Sequence, residues 1–154
     1  MKKIFIVASV LLMCCMFMGC GVKAKLDGTW KSNNVHTNEI DEDVTRTDTL
    51  NITLTINKDG TFAQESVYSV SYNSDSYEGW TETEKLSGTW YYHDSDKVIL
   101  KITHYEIKED GDDEVYEVNE PIYSSSEIVL VDDILFAEIE TELCEGIYEF
   151  TKAE

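Results

Sequence analysis

The chain has 154 residues, a length that suits one domain with a short tail. Its 31 acidic residues against 12 basic ones give a formal charge of −19, and Arg46 is the only arginine, which argues against nucleic-acid binding through clustered phosphate contacts. An apolar fraction of 42% with nine tyrosines and three tryptophans argues equally against a disordered acidic chain.

The N-terminus is organised as an export signal. Lys2 and Lys3 precede the apolar run Ile4–Met18, which falls short of the roughly 20 residues a transmembrane helix needs. Phe17-Met18-Gly19-Cys20 places a small residue directly before a cysteine, the pattern of a lipoprotein processing site. Cys14 and Cys15 have no such residue before them and belong to the apolar run. The expectation is a removed signal over residues 1–19, lipidation at Cys20, a tether over residues 20–25 and a folded domain over residues 26–154. The lipid would hold the protein to the membrane on its extracytoplasmic side, since two acyl chains suffice for stable anchoring and an acidic body is repelled by anionic headgroups. Cys144 would then be the only thiol left, expected as a buried structural cysteine, with no disulfide available.

From residue 26 onward the periods are those of strands. Leu50, Ile52, Leu54 and Ile56 alternate with Asn51, Thr53, Thr55 and Asn57, a half-buried strand. Lys58-Asp59-Gly60 supplies a turn, and the return strand carries Tyr68, Val70 and Tyr72 on one face. Further strands are expected over residues 79–84, 86–92, 98–107, 115–118, 127–131, 134–143 and 147–151. Glu138, Glu140 and Glu142 face solvent, opposite Leu135, Ala137 and Ile139. Turn signals every 8–12 residues or so predict an all-β antiparallel up-and-down barrel of about 8–10 strands with little helix.

Leu26-Asp27-Gly28-Thr29-Trp30 is echoed by Leu86-Ser87-Gly88-Thr89-Trp90, and more loosely by Lys58-Asp59-Gly60-Thr61-Phe62. A Leu-x-Gly-Thr-Trp strand after a lipoprotein cysteine, then an Asp-Gly-Thr-Phe hairpin and a second Gly-x-Trp strand, resembles the lipocalin-like domains of small bacterial lipoproteins. The resemblance spans residues 25 to 105. It implies a barrel closed at one end by Trp30, with a small apolar or amphiphilic ligand.

Chemistry is sparse. His36, His93 and His104 form no HxH, HxxH or HExxH spacing, and no nucleophile or phosphate-binding motif occurs. Neither an enzyme, a metal site nor a cofactor is expected. Asp41-Glu42-Asp43 and the run 109–114 are expected as solvated turns. Trp80 and Trp90, with Tyr68 and Tyr72, are the candidates to line a ligand cavity, the alternative being that they fill the barrel. Two functions follow: a lipid-anchored monomer binding a small hydrophobic ligand inside the barrel, or an envelope interaction module with a filled barrel and an acidic surface. An empty or filled interior separates them.

Overall fold

The computed structural model describes residues 25–93, 97–109, 112–116, 120–141 and 143–153. The signal segment and Cys20 lie outside them. The described residues form nine strands: β1 (Gly28–Asp41), β2 (Val44–Ile56), β3 (Thr61–Tyr72), β4 (Trp80–Tyr92), β5 (Lys97–Glu109), β6 (Asp112–Tyr116), β7 (Ile122–Val131), β8 (Ile134–Glu140) and β9 (Glu145–Lys152). All pairings are antiparallel. β6 and β7 both pair with β5, on successive lengths of it, and act as one interrupted strand. β9 returns to β1 through Trp30↔Lys152 and Lys31↔Thr151, closing an eight-stranded up-and-down barrel. This is the expected fold class.

One expected division between strands needs correction, and one strand pair was not expected. The expected strands 79–84 and 86–92 are one strand, β4 from Trp80 to Tyr92, which keeps an unbroken register against β3 from Trp80 to Thr89; Lys85 points outward, so its charge interrupts nothing. Residues 31–41 and 44–49 are the long first hairpin. Their polar sequence hides them from an apolar period, and pairing of the backbone extends them regardless.

The closed end holds the core. Leu26, Trp30, Ile56, Phe62, Trp90, Leu135 and Phe150 are buried there, each under 5% exposed. The Trp30 indole N–H donates to the Leu26 carbonyl at 2.8 Å, and the Lys152 ammonium lies 5.3 Å from its ring centre. Trp30 is thus the expected plug with its expected acceptor. The Trp90 indole donates to the Asn57 carbonyl at 3.2 Å.

The echoed glycines serve two different purposes. Gly28 has φ +133° at the start of β1, a conformation L side chains avoid. Gly88 sits at a β-bulge between β4 and β5, where a Cβ would overlap the Lys101 carbonyl oxygen.

The strands have unequal lengths, and this shapes the rest of the molecule. β1 to β5 run 12 to 14 residues, whereas β8 and β9 have seven and eight. Past Lys31, no pairing joins β1 to β9. The barrel is therefore closed only over its lower part. Above that, β1 to β6 continue as a curved open sheet whose concave face is the extension of the barrel interior.

Candidate functional site

Register places the residues of this face in rows. Ser32, Ile52, Ser66, Glu84 and Ile107 pair across β1 to β5. Four of them are buried below 7% and Glu84 is fully buried, where the Tyr105 hydroxyl donates to its carboxylate at 3.2 Å. The next row up is Asn34, Leu50, Tyr68, Glu82 and Glu109, followed by His36, Asp48, Val70 and Trp80, and then by Asn38, Arg46 and Tyr72. Above the Ser32–Ile107 row most of these residues are half-buried or exposed, Val70 at 2% being the exception.

The Ser32–Ile107 row contributes to a polar belt that divides the apolar plug from the open face. The Gln64 amide donates to the Ser66 hydroxyl at 3.1 Å, and both residues are buried. The β8–β9 turn folds over the belt. The Thr141 amide donates to the Cys144 carbonyl at 2.7 Å, and the Cys144 amide donates to the Thr141 hydroxyl at 3.1 Å. Cys144 is 1% exposed, as expected for a structural cysteine. Burial pushes its thiol pKa up, against hydrogen bonds with Ser66 and Thr141 that pull it down. Its thiolate is disfavoured, and with it nucleophilic chemistry.

Below the belt the barrel is filled. Among the described residues, the interior gap lined by Leu54, Phe62, Leu86, Trp90, Ile102 and Ile139 among others has a volume of about 30 Å³. That is room for one or two water molecules, against several hundred Å³ for a small-molecule pocket.

Above the belt lies a cluster centred on Asp48. One carboxylate oxygen, Oδ1, accepts from Arg46 Nε at 2.9 Å, from Arg46 Nη2 at 2.7 Å and from the Tyr68 hydroxyl at 2.7 Å. Arg46 Nη2 also donates to the Tyr68 oxygen at 3.3 Å. The Tyr68 hydrogen bond, and then Arg46, hold the Asp48 carboxyl below its ordinary range; the bond to Asp48 holds the guanidinium above its own. Both groups are therefore charged across the physiological range. Trp80 closes the cluster edge-on to Tyr68, ring centres 5.2 Å apart. Gly79 permits this: a Cβ there would stand 2.5 Å from the Val70 carbonyl oxygen, so only glycine lets the chain entering β4 press against β3.

Of the four aromatic candidates, the fold brings Tyr68 and Trp80 together. Tyr72 lies one row beyond the His36–Trp80 row and stacks on Tyr77, ring centres 5.2 Å apart. Trp90 is at the opposite end, in the core. All three histidines are exposed; His36 is the one that pairs with Asp48 across β1 and β2. Asp41-Glu42-Asp43 forms the exposed β1–β2 turn, with Asp43 at φ +66°. Sequence reasoning missed His36, Arg46 and Asp48. The signal for the last two was parity: continuing the Leu50–Ile56 alternation backwards places Asp48 and Arg46 on the core-facing side, where charged residues mark a site.

The sequence matches no family model and no curated protein. The reading of the site therefore rests on its geometry.

Proposed function

We propose that the protein is a non-catalytic, lipid-anchored contact module of the cell envelope, tethered through Cys20 and working through its open concave face. The observation that carries this reading is the filled interior, where the gap among Leu54, Phe62, Trp90 and Ile139 has a volume of about 30 Å³. A carrier of apolar molecules needs an apolar cavity about ten times larger. The concave face offers what the interior lacks: exposed polar and aromatic side chains held on rigid strands. The excess of 31 acidic over 12 basic residues supports a body that stands off an anionic membrane instead of lying on it. Lipidation rests on the Gly19-Cys20 pattern alone.

Two measurements test the reading. Cys20→Ala is expected to move the protein out of the mature membrane-bound form, and mass spectrometry of the native N-terminus to find a lipid-modified Cys20. An unmodified N-terminal residue other than Cys20 overturns the anchor. Titration with a fluorescent fatty acid is expected to give no saturable energy transfer from Trp30 and Trp90, which surround the interior. Stoichiometric uptake beside those two tryptophans overturns the filled scaffold and restores the carrier.

A further inference from the structure

We infer that the concave face above the barrel binds an uncharged glycan chain, stacked on Trp80 and Tyr68 and held through the Arg46–Asp48 pair. This rests on the reading of that face as the working surface and names the chemistry of what it takes.

Shape comes first. A hollow of about 430 Å³ spans β1 to β3, lined by Asn34, His36, Asp48, Leu50 and Tyr68 among others. A second, of about 310 Å³, lies on the β4–β5 side of the same face, lined by Trp80, Thr81, Glu82 and Glu109. The Tyr68–Trp80 pair stands between them. Both hollows are open along their length. Such a surface suits a chain laid across the strands better than a compact molecule that needs enclosure.

Charge narrows the class. In a molecule with a formal charge of −19, the Asp48 side of this face is locally balanced, because the one arginine lies 2.7 Å from Asp48. An anionic ligand meets an acidic body with its nearest cation already engaged. A cationic ligand must compete with that guanidinium for Asp48, and among the described residues meets other carboxylates only at Glu82 and Glu109 on the β4–β5 side of the face. A neutral ligand faces neither cost.

Hydrogen-bonding capacity narrows it further. All three bonds to Asp48 fall on Oδ1, leaving Oδ2 without a partner among the described residues, and Arg46 Nη1 likewise. An acceptor and a donor held next to each other match a pair of adjacent hydroxyls. The Asn34 amide, which donates to the Ser32 hydroxyl at 3.1 Å, and the His36 ring extend the same polar row structure along β1. Trp80 is 40% exposed and supplies a flat apolar surface. A pyranose has C–H groups on its ring faces and hydroxyls at its edge, so it satisfies both halves of this surface at once. A lipid tail would leave the polar half desolvated and unpaired.

The test exploits the tryptophans. Trp30 and Trp90 are 1% and 4% exposed, so Trp80 dominates the solvent-sensitive fluorescence. The full-length protein, in a detergent without a sugar headgroup, is titrated with cellohexaose and with the hexamer of N-acetylglucosamine. A saturable fluorescence change is expected with at least one of them. Calorimetry is expected to show Trp80→Ala and Asp48→Ala each weakening that binding by about tenfold or more, the effect of losing a stacked ring or a charge-assisted hydrogen bond. Far-UV circular dichroism and urea midpoints are expected to stay close to the parent, because both residues lie outside the plugged core. The inference is overturned if neither oligosaccharide binds at about 10 mM, a concentration that detects even the weakest specific affinities. It is also overturned if binding occurs and both variants retain it, or if a lysine pentapeptide binds in an Asp48-dependent way and the sugars do not. None of these failures touches the anchored, filled scaffold, which stands or falls on Cys20 processing and fatty-acid uptake.

Discussion

Trp30 shows how much one side chain carries. Its ring is 1% exposed and its N–H is bonded to the Leu26 carbonyl, so deletion removes both apolar burial and a satisfied donor. Trp30→Ala is expected to cost about 3–5 kcal/mol, read from urea melts; Trp80→Ala, at an exposed site, is expected to stay within about 0.5 kcal/mol of the parent. Tyr92 is the counterpart with an unmet need. Its hydroxyl is buried with no hydrogen-bond partner among the described residues, and burial pushes its pKa up to about 12, against about 10 in an unfolded chain. The fold accommodates the neutral phenol and disfavours the phenolate. Stability from this group is therefore intact below about pH 10 and is lost as pH rises through about 12. Tyr92→Phe is expected to be as stable as the parent at pH 7, or more stable by about 1 kcal/mol. Its advantage should widen between pH 10 and 12 in urea melts. A constant difference across that window would show that Tyr92 ionises as freely in the fold as in the open chain.

At the scale of elements, the β4–β5 pair is the point of greatest constraint. The bulge opposite Ser87 and Gly88 shifts the register so that even positions of β4 meet odd positions of β5 above it, as in Leu86↔Tyr105 and Glu84↔Ile107. That shift turns Tyr105 toward the Glu84 carboxylate and Ile107 into the polar belt's row. Gly88→Ala places a methyl group into the Lys101 carbonyl and is expected to cost about 1–3 kcal/mol or more. Gly146, at φ +137° with open space around its Cβ site, is the control: Gly146→Ala meets backbone strain alone and should be the milder of the two. Equal costs in denaturant melts would mean that the bulge relaxes around the added methyl.

Over the whole molecule, electrostatics work against the fold while they keep it soluble. The formal charge of −19 is spread over a chain with exposed ion pairs such as Lys58–Asp27 at 3.4 Å and Lys85–Glu65 at 3.6 Å, and pairs of that kind contribute little. Self-repulsion of the surface is the larger effect. Raising the ionic strength from about 0.01 to 0.15 M shortens the screening length from about 30 to 8 Å. The Tm is expected to rise by a few degrees over that range. An unchanged or falling Tm would assign the net stabilisation to attractive pairs instead.

The periods of two in residues 50–57 and 134–140, the Asn57–Gly60 turn and the spacing of turn residues determine an antiparallel all-β chain, because each strand must present one face to a core. The same logic places Glu138 and Glu140 outside, while Trp30 as an inward plug was what the Gly-x-Trp resemblance implied. Sequence alone also carries the processing pattern at Cys20, which lies outside the described residues. What the sequence could not decide was how far up the strands the barrel stays closed and whether its interior is hollow. The polar hairpin 31–49 has no apolar alternation, and its strands exist because backbone pairing propagates from the apolar segment below. Whether the barrel is hollow depends on how Trp30, Phe62, Trp90 and Phe150 from four different strands share one volume, a sum no local pattern encodes. The pairing of Arg46 and Asp48 with His36 and Trp80 across β1 to β4 likewise appears only once three registers are fixed, since each residue alone in the sequence is an ordinary polar or aromatic side chain.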